Sequence, residues 1–158
     1  MIDYFDRTTE HIFEVENNIA TIIHELEIRG REHDESKLDE PEASEFARLT
    51  PMLKGATYGS EEYNAFLVEL GGALKHHYQN NRHHPEHYGE DGISGMNLVD
   101  LVEMFCDWLA AIKRHADGDI FNSIKLNGER FDLPVQLQAI FANTARGIFD
   151  ETEKGLKK

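Results

Sequence analysis

The sequence predicts an all-α protein, a single compact helical domain of five to six helices. Three observations predict it. Apolar residues recur at three-and-four spacing along most of the chain, the period of a helix with one buried face. No run of strand length alternates apolar with polar residues. The 158 residues suit one domain with a real core, and neither an internal repeat nor a low-complexity tract divides them.

The first helix is expected from about Thr8 to Ile28, with Ile12, Val15, Ile19, Ile22, Ile23 and Leu26 as its buried stripe and Gly30 as its breaker. HDESKLDEPEASEFARL then reads as a polar turn into a short helix that starts at Asp39 or Glu40, with Pro41 in its first turn. Pro51 and KGATYGS read as a loop. Ser60 suits the cap of a third helix, from Glu61 to about Tyr78, with Tyr63, Phe66, Leu67, Leu70 and Leu74 facing inward. NNRHHPEHYGEDGISG reads as a long irregular loop. Asn97 opens a fourth helix that runs to about His115, where ADGD ends it. FNSIKLNGERFD reads as mixed, one helical turn and a bend. Asp132 is the expected cap of a last helix, with Pro134 in its first turn, running to about Glu153 before a basic, frayed tail over 154–158.

Composition narrows the partners. Formal net charge is -14, and the Lys and Arg residues are scattered rather than gathered into a stripe. Such a surface speaks against nucleic-acid partners, whose phosphates need a basic footprint, and against an anionic membrane surface. A small nucleotide stays compatible, because a metal or a few local cations can receive its phosphates. Cys106 is the one cysteine, so no intrachain disulfide can form and a reducing compartment is the simpler reading. It lies in an apolar run and reads as a small core residue. The opening MIDYFDRTTEH has no basic-then-apolar signal pattern, and the longest apolar runs fall far short of a membrane span. The expectation is a soluble, cytoplasmic protein.

Histidine is where the chain is unusual. Five of its nine histidines, His76, His77, His83, His84 and His87, fall within HHYQNNRHHPEH. His77 follows Leu74 by three and Leu70 by seven, which puts it on the inner face of the third helix, while His76 points roughly 100° away. His83 and His84 follow where a loop can fold back over a site, and His87 reads as outer. The cluster is either a hydrated, pH-sensitive loop or part of a cation site. His33-Asp34 can ligate one divalent ion, imidazole giving nitrogen and carboxylate giving charge. His11 extends the apolar face of the first helix, as a structural histidine or as a ligand. His24 lies off that face. On the fourth helix, Leu98, Leu101, Val102, Phe105, Leu109 and Ile112 form the main stripe. Asp100, Glu103 and Asp107 share a narrow wedge opposite it, either a solvent edge or a carboxylate lining for a polar cavity that needs a cation.

The order His, then His-Asp, then a distant Asp, all on helices, resembles the HD-domain superfamily of metal-dependent phosphohydrolases. The matching elements are HIFEV (His11, Val15), HDESK (His33, Asp34, Ser36, Lys37) and EMFCDW (Asp107). More narrowly, the chain is similar to a poorly characterised HD-like branch frequent in phages. That likeness rests on His33 to Lys37, Glu45-Phe46, His77-Asn81-His83-His84 and Glu103-Met104-Asp107-Trp108, and spans about residues 8–112. The resemblance implies an HD-like helical fold and a divalent metal held by His11, His33, Asp34 and Asp107. Where the superfamily holds two metals, His77 and His83 or His84 would join them. The spacing of the well-known two-metal members is not matched, so the count stays at one or two, and Asp100 is the second choice for the last ligand. The metal would be Mn, Fe, Zn, Co, Ni or Mg.

From the resemblance follows an expected enzyme that hydrolyses a phosphate ester or anhydride, a small nucleotide above all. Asp34 would orient the attacking water, and Lys37 would hold a phosphate. Arg82 and Arg130 could do the same, with a surface salt bridge as the alternative for each. Glu103 would orient a ligand histidine from behind. Two rivals stand beside it: a di-iron HD-like oxygenase, and a non-catalytic helical metal-binding or interaction module. Apolar residues Ile120, Phe121, Ile140, Phe141, Ile148 and Phe149 read either as core or as the face of a homo-oligomer.

Overall fold

The structure, a computed structural model, describes residues 3–53, 60–114 and 118–149. Among these every regular element is helical. The chain divides into two compact units, Met1–His33 and Asp34–Lys158.

The first unit is one helix, α1 (Asp3–Glu32), of 30 residues. It passes through Gly30, where the sequence predicts a break. A lone glycine costs a helix only about 1 kcal/mol relative to alanine, which a helix of this length absorbs. The helix gives way instead at Asp34, whose left-handed backbone (φ 59, ψ 15) no helix can continue. The stripe expected to be buried is exposed, with Ile12 at 53 %, Ile19 at 52 % and Ile23 at 51 %. The three-and-four spacing correctly marks one face as apolar, but a unit made of a single helix holds nothing to cover that face.

The second unit begins with a 3₁₀ turn, Glu35–Leu38, followed by α2 (Glu42–Leu49). Pro41 precedes α2 as its cap residue, so the helix starts two to three positions later than Asp39 or Glu40. A further 3₁₀ turn covers Thr50–Leu53, and the rest of the expected loop, 54–59, lies outside the described residues. α3 (Glu61–Asn80) runs two residues past Tyr78 and kinks at Gly71, whose φ of 40 and ψ of -104 only glycine adopts easily. α2 packs on α3 through Leu49, Phe66 and Leu70, with Phe46, Leu67 and Leu74 around them. The side chain of Tyr63 lies outside the described residues.

The segment expected as an irregular loop is wound: Pro85–Gly95 forms 3₁₀ turns, interrupted at Gly89 and Gly92. α4 (Leu98–Ile112) opens on a reciprocal cap. Asp100 N donates to Asn97 Oδ1 at 3.0 Å, and Asn97 N donates to Asp100 Oδ2 at 2.9 Å. It ends three residues short of His115, which lies outside the described residues together with 116–117.

α5 (Ile120–Arg130) corrects the mixed reading of FNSIKLNGERFD. Asn and Gly residues weaken its propensity, but Asp119 caps it by accepting from Phe121 N at 2.9 Å. Ile120, Ile124 and Gly128 then share its buried face at four-residue intervals. Asp132 is not a cap; it takes a left-handed φ of 50, and Pro134 precedes α6 (Val135–Thr144). A π turn, Ala145–Phe149, follows, and 150–158 lie outside the described residues.

The larger core sits between α4, α5 and α6. Met104, Phe105, Trp108, Leu109, Ile120, Ile124, Leu133, Phe141 and Ala145 are all buried there. Phe141 stacks on Phe105 at a 5.0 Å centroid distance and meets the Trp108 ring edge-on at 5.6 Å. Cys106 is not part of this core but exposed, because its place on α4 falls between the buried faces. The late apolar residues divide: Ile120 and Phe141 are core, Phe121 is half-buried, and Ile140 and Ile148 are exposed.

Candidate metal centre

Local structure explains why the histidines converge. α3 carries His77 on the same face as Leu70 and Leu74, so its imidazole enters the unit rather than solvent. The helix stops at Asn80, and a tight turn closed by His84 N donating to Asn81 O (3.3 Å) brings His83 and His84 back toward His77. The His83 and His84 rings lie 4.1 Å apart, and the His77 and His84 rings 4.8 Å apart. Asp34 reaches the same point from the other side. Its left-handed backbone and the Glu35–Leu38 turn, closed by Lys37 N donating to Asp34 O at 2.9 Å, aim its carboxylate at the cluster.

One ligand atom from each of Asp34, His77, His83 and His84 lies within 4.8 Å of all the others. His77 Nε2 is 2.9 Å from His84 Nε2 and 3.3 Å from Asp34 Oδ1, and His83 Nε2 is 3.6 Å from that same oxygen. Metal–nitrogen and metal–oxygen bonds of about 2.0–2.2 Å place neighbouring donors roughly 3–3.5 Å apart, so these separations suit one ion. The donor set, three imidazoles and one carboxylate, matches zinc, iron, cobalt, nickel or manganese better than magnesium or calcium, which prefer oxygen. A divalent ion could be held here.

The environment keeps the imidazoles ready to ligate. Burial is the main force holding His84 well below the usual imidazole range, with His83 and His77 adding to it. Burial also lowers His77, and the Lys37 ammonium nearby lowers it further. Both rings are therefore neutral near pH 7, the form that binds metal. Asp34 divides its oxygens: Oδ1 faces the histidines, and Oδ2 accepts from Lys37 Nζ at 2.6 Å.

Behind the donors stand two carboxylates. Glu103, on α4, brings Oε1 to 3.1 Å from His83 Nδ1. Glu42, at the start of α2, places Oε2 2.9 Å from His77 Nδ1 and Oε1 2.8 Å from His76 Nδ1. Glu42 escaped the reading of the sequence. The signal was there, since Glu42, Phe46 and Leu49 fall at i, i+4 and i+7, which sets a glutamate on the apolar face of α2.

Several of the other expected residues are held by partners of their own. Arg82 binds Asp100 through two contacts, Nε to Oδ1 at 3.1 Å and Nη2 to Oδ2 at 3.2 Å. Asp100, fully buried, also accepts from the Tyr88 hydroxyl at 2.7 Å. Its oxygens are thus committed to Arg82, Tyr88 and the α4 cap. Arg130 donates to Glu86 at 2.6 Å and to the Tyr78 hydroxyl at 3.3 Å. Asp107 lies one turn beyond Glu103 on α4, half-buried, and is not among the four converging residues. The α4 wedge is accordingly no solvent edge, since Asp100 and Glu103 are buried. His11 and His33 belong to the first unit, where His11 is exposed on α1 and His33 is half-buried just after it. His87 Nδ1 donates to Tyr78 O at 3.0 Å, outside the cluster.

Family of unknown function (DUF5662) matches residues 1–154 of the chain. No curated protein and no solved structure matches it. Among the described residues, no helix is long and apolar enough to cross a membrane.

Proposed function

The chain belongs to that family of unknown function, and we propose that it is an HD-like, metal-dependent phosphohydrolase acting on a small nucleotide or a related phosphate ester. The observation that carries the reading is the convergence of Asp34, His77, His83 and His84 on one point, with ligand atoms within 4.8 Å of one another. The HD-like motif order around these residues supports the same class. A divalent ion bound there would supply hydroxide near neutral pH and offset charge building on phosphoryl oxygens.

The chain's own groups have definable parts in this reaction. Asp34 holds one oxygen toward the donor cluster and anchors Lys37 with the other. Lys37 Nζ, paired with the site's own Asp34 and 5.0 Å from the Phe46 ring centre, is the cation nearest the donor cluster in this reading and would receive a phosphate oxygen. Glu103 Oε1 lies 3.1 Å from His83 Nδ1, the ring nitrogen away from Asp34, and would orient that imidazole from behind. Arg82 and Arg130, committed to Asp100 and Glu86, are assigned to structure rather than substrate.

The test is metal content per chain, by elemental analysis, on wild type and Asp34→Asn purified in parallel. Asparagine tolerates the left-handed backbone of position 34 and removes only the charge. Near-stoichiometric transition metal in wild type, lost in a still-folded variant, followed by metal-dependent release of phosphate from a nucleotide panel, is the expected result. Absence of bound metal after soaking in manganese, zinc or iron would sink the proposal. A second reading, a non-catalytic metal-binding module, draws on the 2 % exposure of both His77 and His83. Metal that stays bound, turns over no phosphate ester and is needed for folding would favour it.

A further inference from the structure

We propose that Glu42 is the positioning residue of the metal centre, fixing His77 as the Nδ1–H tautomer so that its Nε2 lone pair faces the donor cluster. The inference rests on the metal reading above, and extends it to a residue that no motif singled out.

Glu42 is 0 % exposed, yet it carries a carboxylate at the start of a helix whose neighbouring face is apolar. A buried carboxylate persists only where both its oxygens have donors. Three groups supply them. His77 Nδ1 lies 2.9 Å from Oε2, Ser36 Oγ donates to Oε2 at 3.1 Å, and His76 Nδ1 lies 2.8 Å from Oε1.

The direction of the His77 bond follows from what surrounds it. Asn81 Nδ2 also approaches His77 Nδ1, at 3.0 Å, but its two hydrogens are already directed to Ser36 Oγ (2.7 Å) and His77 O (2.8 Å). Ser36, accepting from Asn81, passes its own hydrogen to Glu42. Ser36 Oγ lies 3.5 Å from His77 Nδ1 and Glu42 Oε2 only 2.9 Å, so Glu42 is the nearer acceptor and the proton sits on that nitrogen. Nε2 is then the unprotonated atom, and it is the one 2.9 Å from His84 Nε2 and 3.3 Å from Asp34 Oδ1. The chain Asn81 to Ser36 to Glu42, joined by His77, ties the end of α3, the Glu35–Leu38 turn and the start of α2 into one bracket behind the imidazole. His83 has a carboxylate on the same side, Glu103 Oε1 at 3.1 Å from its Nδ1, while its Nε2 lies 3.6 Å from Asp34 Oδ1. A carboxylate behind a ligand imidazole sets its orientation and raises its donor strength, and its loss costs about 10–100-fold in metal affinity.

The experiment is a Co²⁺ titration followed by visible absorption, on wild type, Glu42→Gln and His76→Ala. The expected result is a roughly 10–100-fold weaker Co²⁺ affinity in Glu42→Gln, with altered ligand-field bands. His76→Ala should stay within about threefold of wild type, because the Glu42–His77 bond is kept. Equal affinity and identical bands in Glu42→Gln would overturn the inference and leave the metal reading intact. A wild type that binds no Co²⁺ would overturn both. Should Glu42→Gln fail to fold, nitrogen-15 spectra of the histidines in metal-free wild type decide the matter. A Nδ1–H tautomer at His77 is expected, and a Nε2–H tautomer would overturn it.

Discussion

Asp34 shows how much one residue can settle. Its left-handed backbone ends α1, one of its oxygens faces three imidazoles, and the other holds Lys37. Lys37→Met should therefore leave metal stoichiometry unchanged and lower phosphate release at least tenfold, read as kcat/KM for the best nucleotide of the panel. The imidazoles predict a pH response in the metal-free protein. Burial holds His77 and His84 below their ordinary range. Above about pH 6.5 both rings are neutral whether the chain is folded or not, and they cost nothing. Below it the unfolded chain takes up protons that the folded site refuses, so stability falls as pH falls. The Tm of metal-free protein should drop between about pH 7 and 5, with a shallower slope in His84→Gln. Saturating metal should raise Tm at neutral pH, by mass action on the folded state.

At the scale of the element, α4 depends on its first turn. Asp100 closes the cap with Asn97, accepts from Tyr88 and pairs with Arg82. Asp100→Ala removes all of these and should cost about 2–3 kcal/mol in urea denaturation. Arg82→Ala should cost on the order of 1–3 kcal/mol, because it leaves the fully buried Asp100 carboxylate short of two donors. α3 offers a purer backbone test. No atom lies within 4 Å of where a Cβ at Gly71 would stand, so Gly71→Ala meets only the backbone cost of its positive φ, about 1–3 kcal/mol. Element type was legible in the sequence wherever periodicity was strong, as in α3 and α4, and the Asn97 cap was read correctly. α5 was not, because Asn127 and Gly128 lower propensity while both are in fact buried against neighbouring helices. Gly30 misled in the opposite sense, as a residue whose cost a long helix carries.

For the second unit as a whole, the larger core carries an aromatic contact of α4 with α6. Phe141 is buried, stacked on Phe105 and edge-on to Trp108. Phe141→Ala should destabilise by about 3–5 kcal/mol, measured by thermal or urea unfolding. A loss below about 1 kcal/mol would mean that the helices do not pack this way. The metal site draws on a different region, the Glu35–Leu38 turn, the ends of α2 and α3 and the turn that follows α3.

Residue type and spacing alone carried the helical class, the histidine concentration, the inward turn of His77 and the nearness of Lys37 to His33-Asp34 in one short motif. These are local properties: a period of 3.6 residues and a few side chains within one or two turns. The partners of those side chains were not local. Glu42 reaches His77 across 35 positions, Asn81 reaches Ser36 across 45, and Arg82 reaches Asp100 across 18. Which carboxylate faces a histidine and which an arginine depends on how α2, α3 and α4 are brought together. Asp100, Glu103 and Asp107 share one wedge of α4, yet packing commits Asp100 to Arg82 and Tyr88 and sets Glu103 on His83. Spacing along a helix reveals that side chains share a face; only the packed neighbours decide what that face meets.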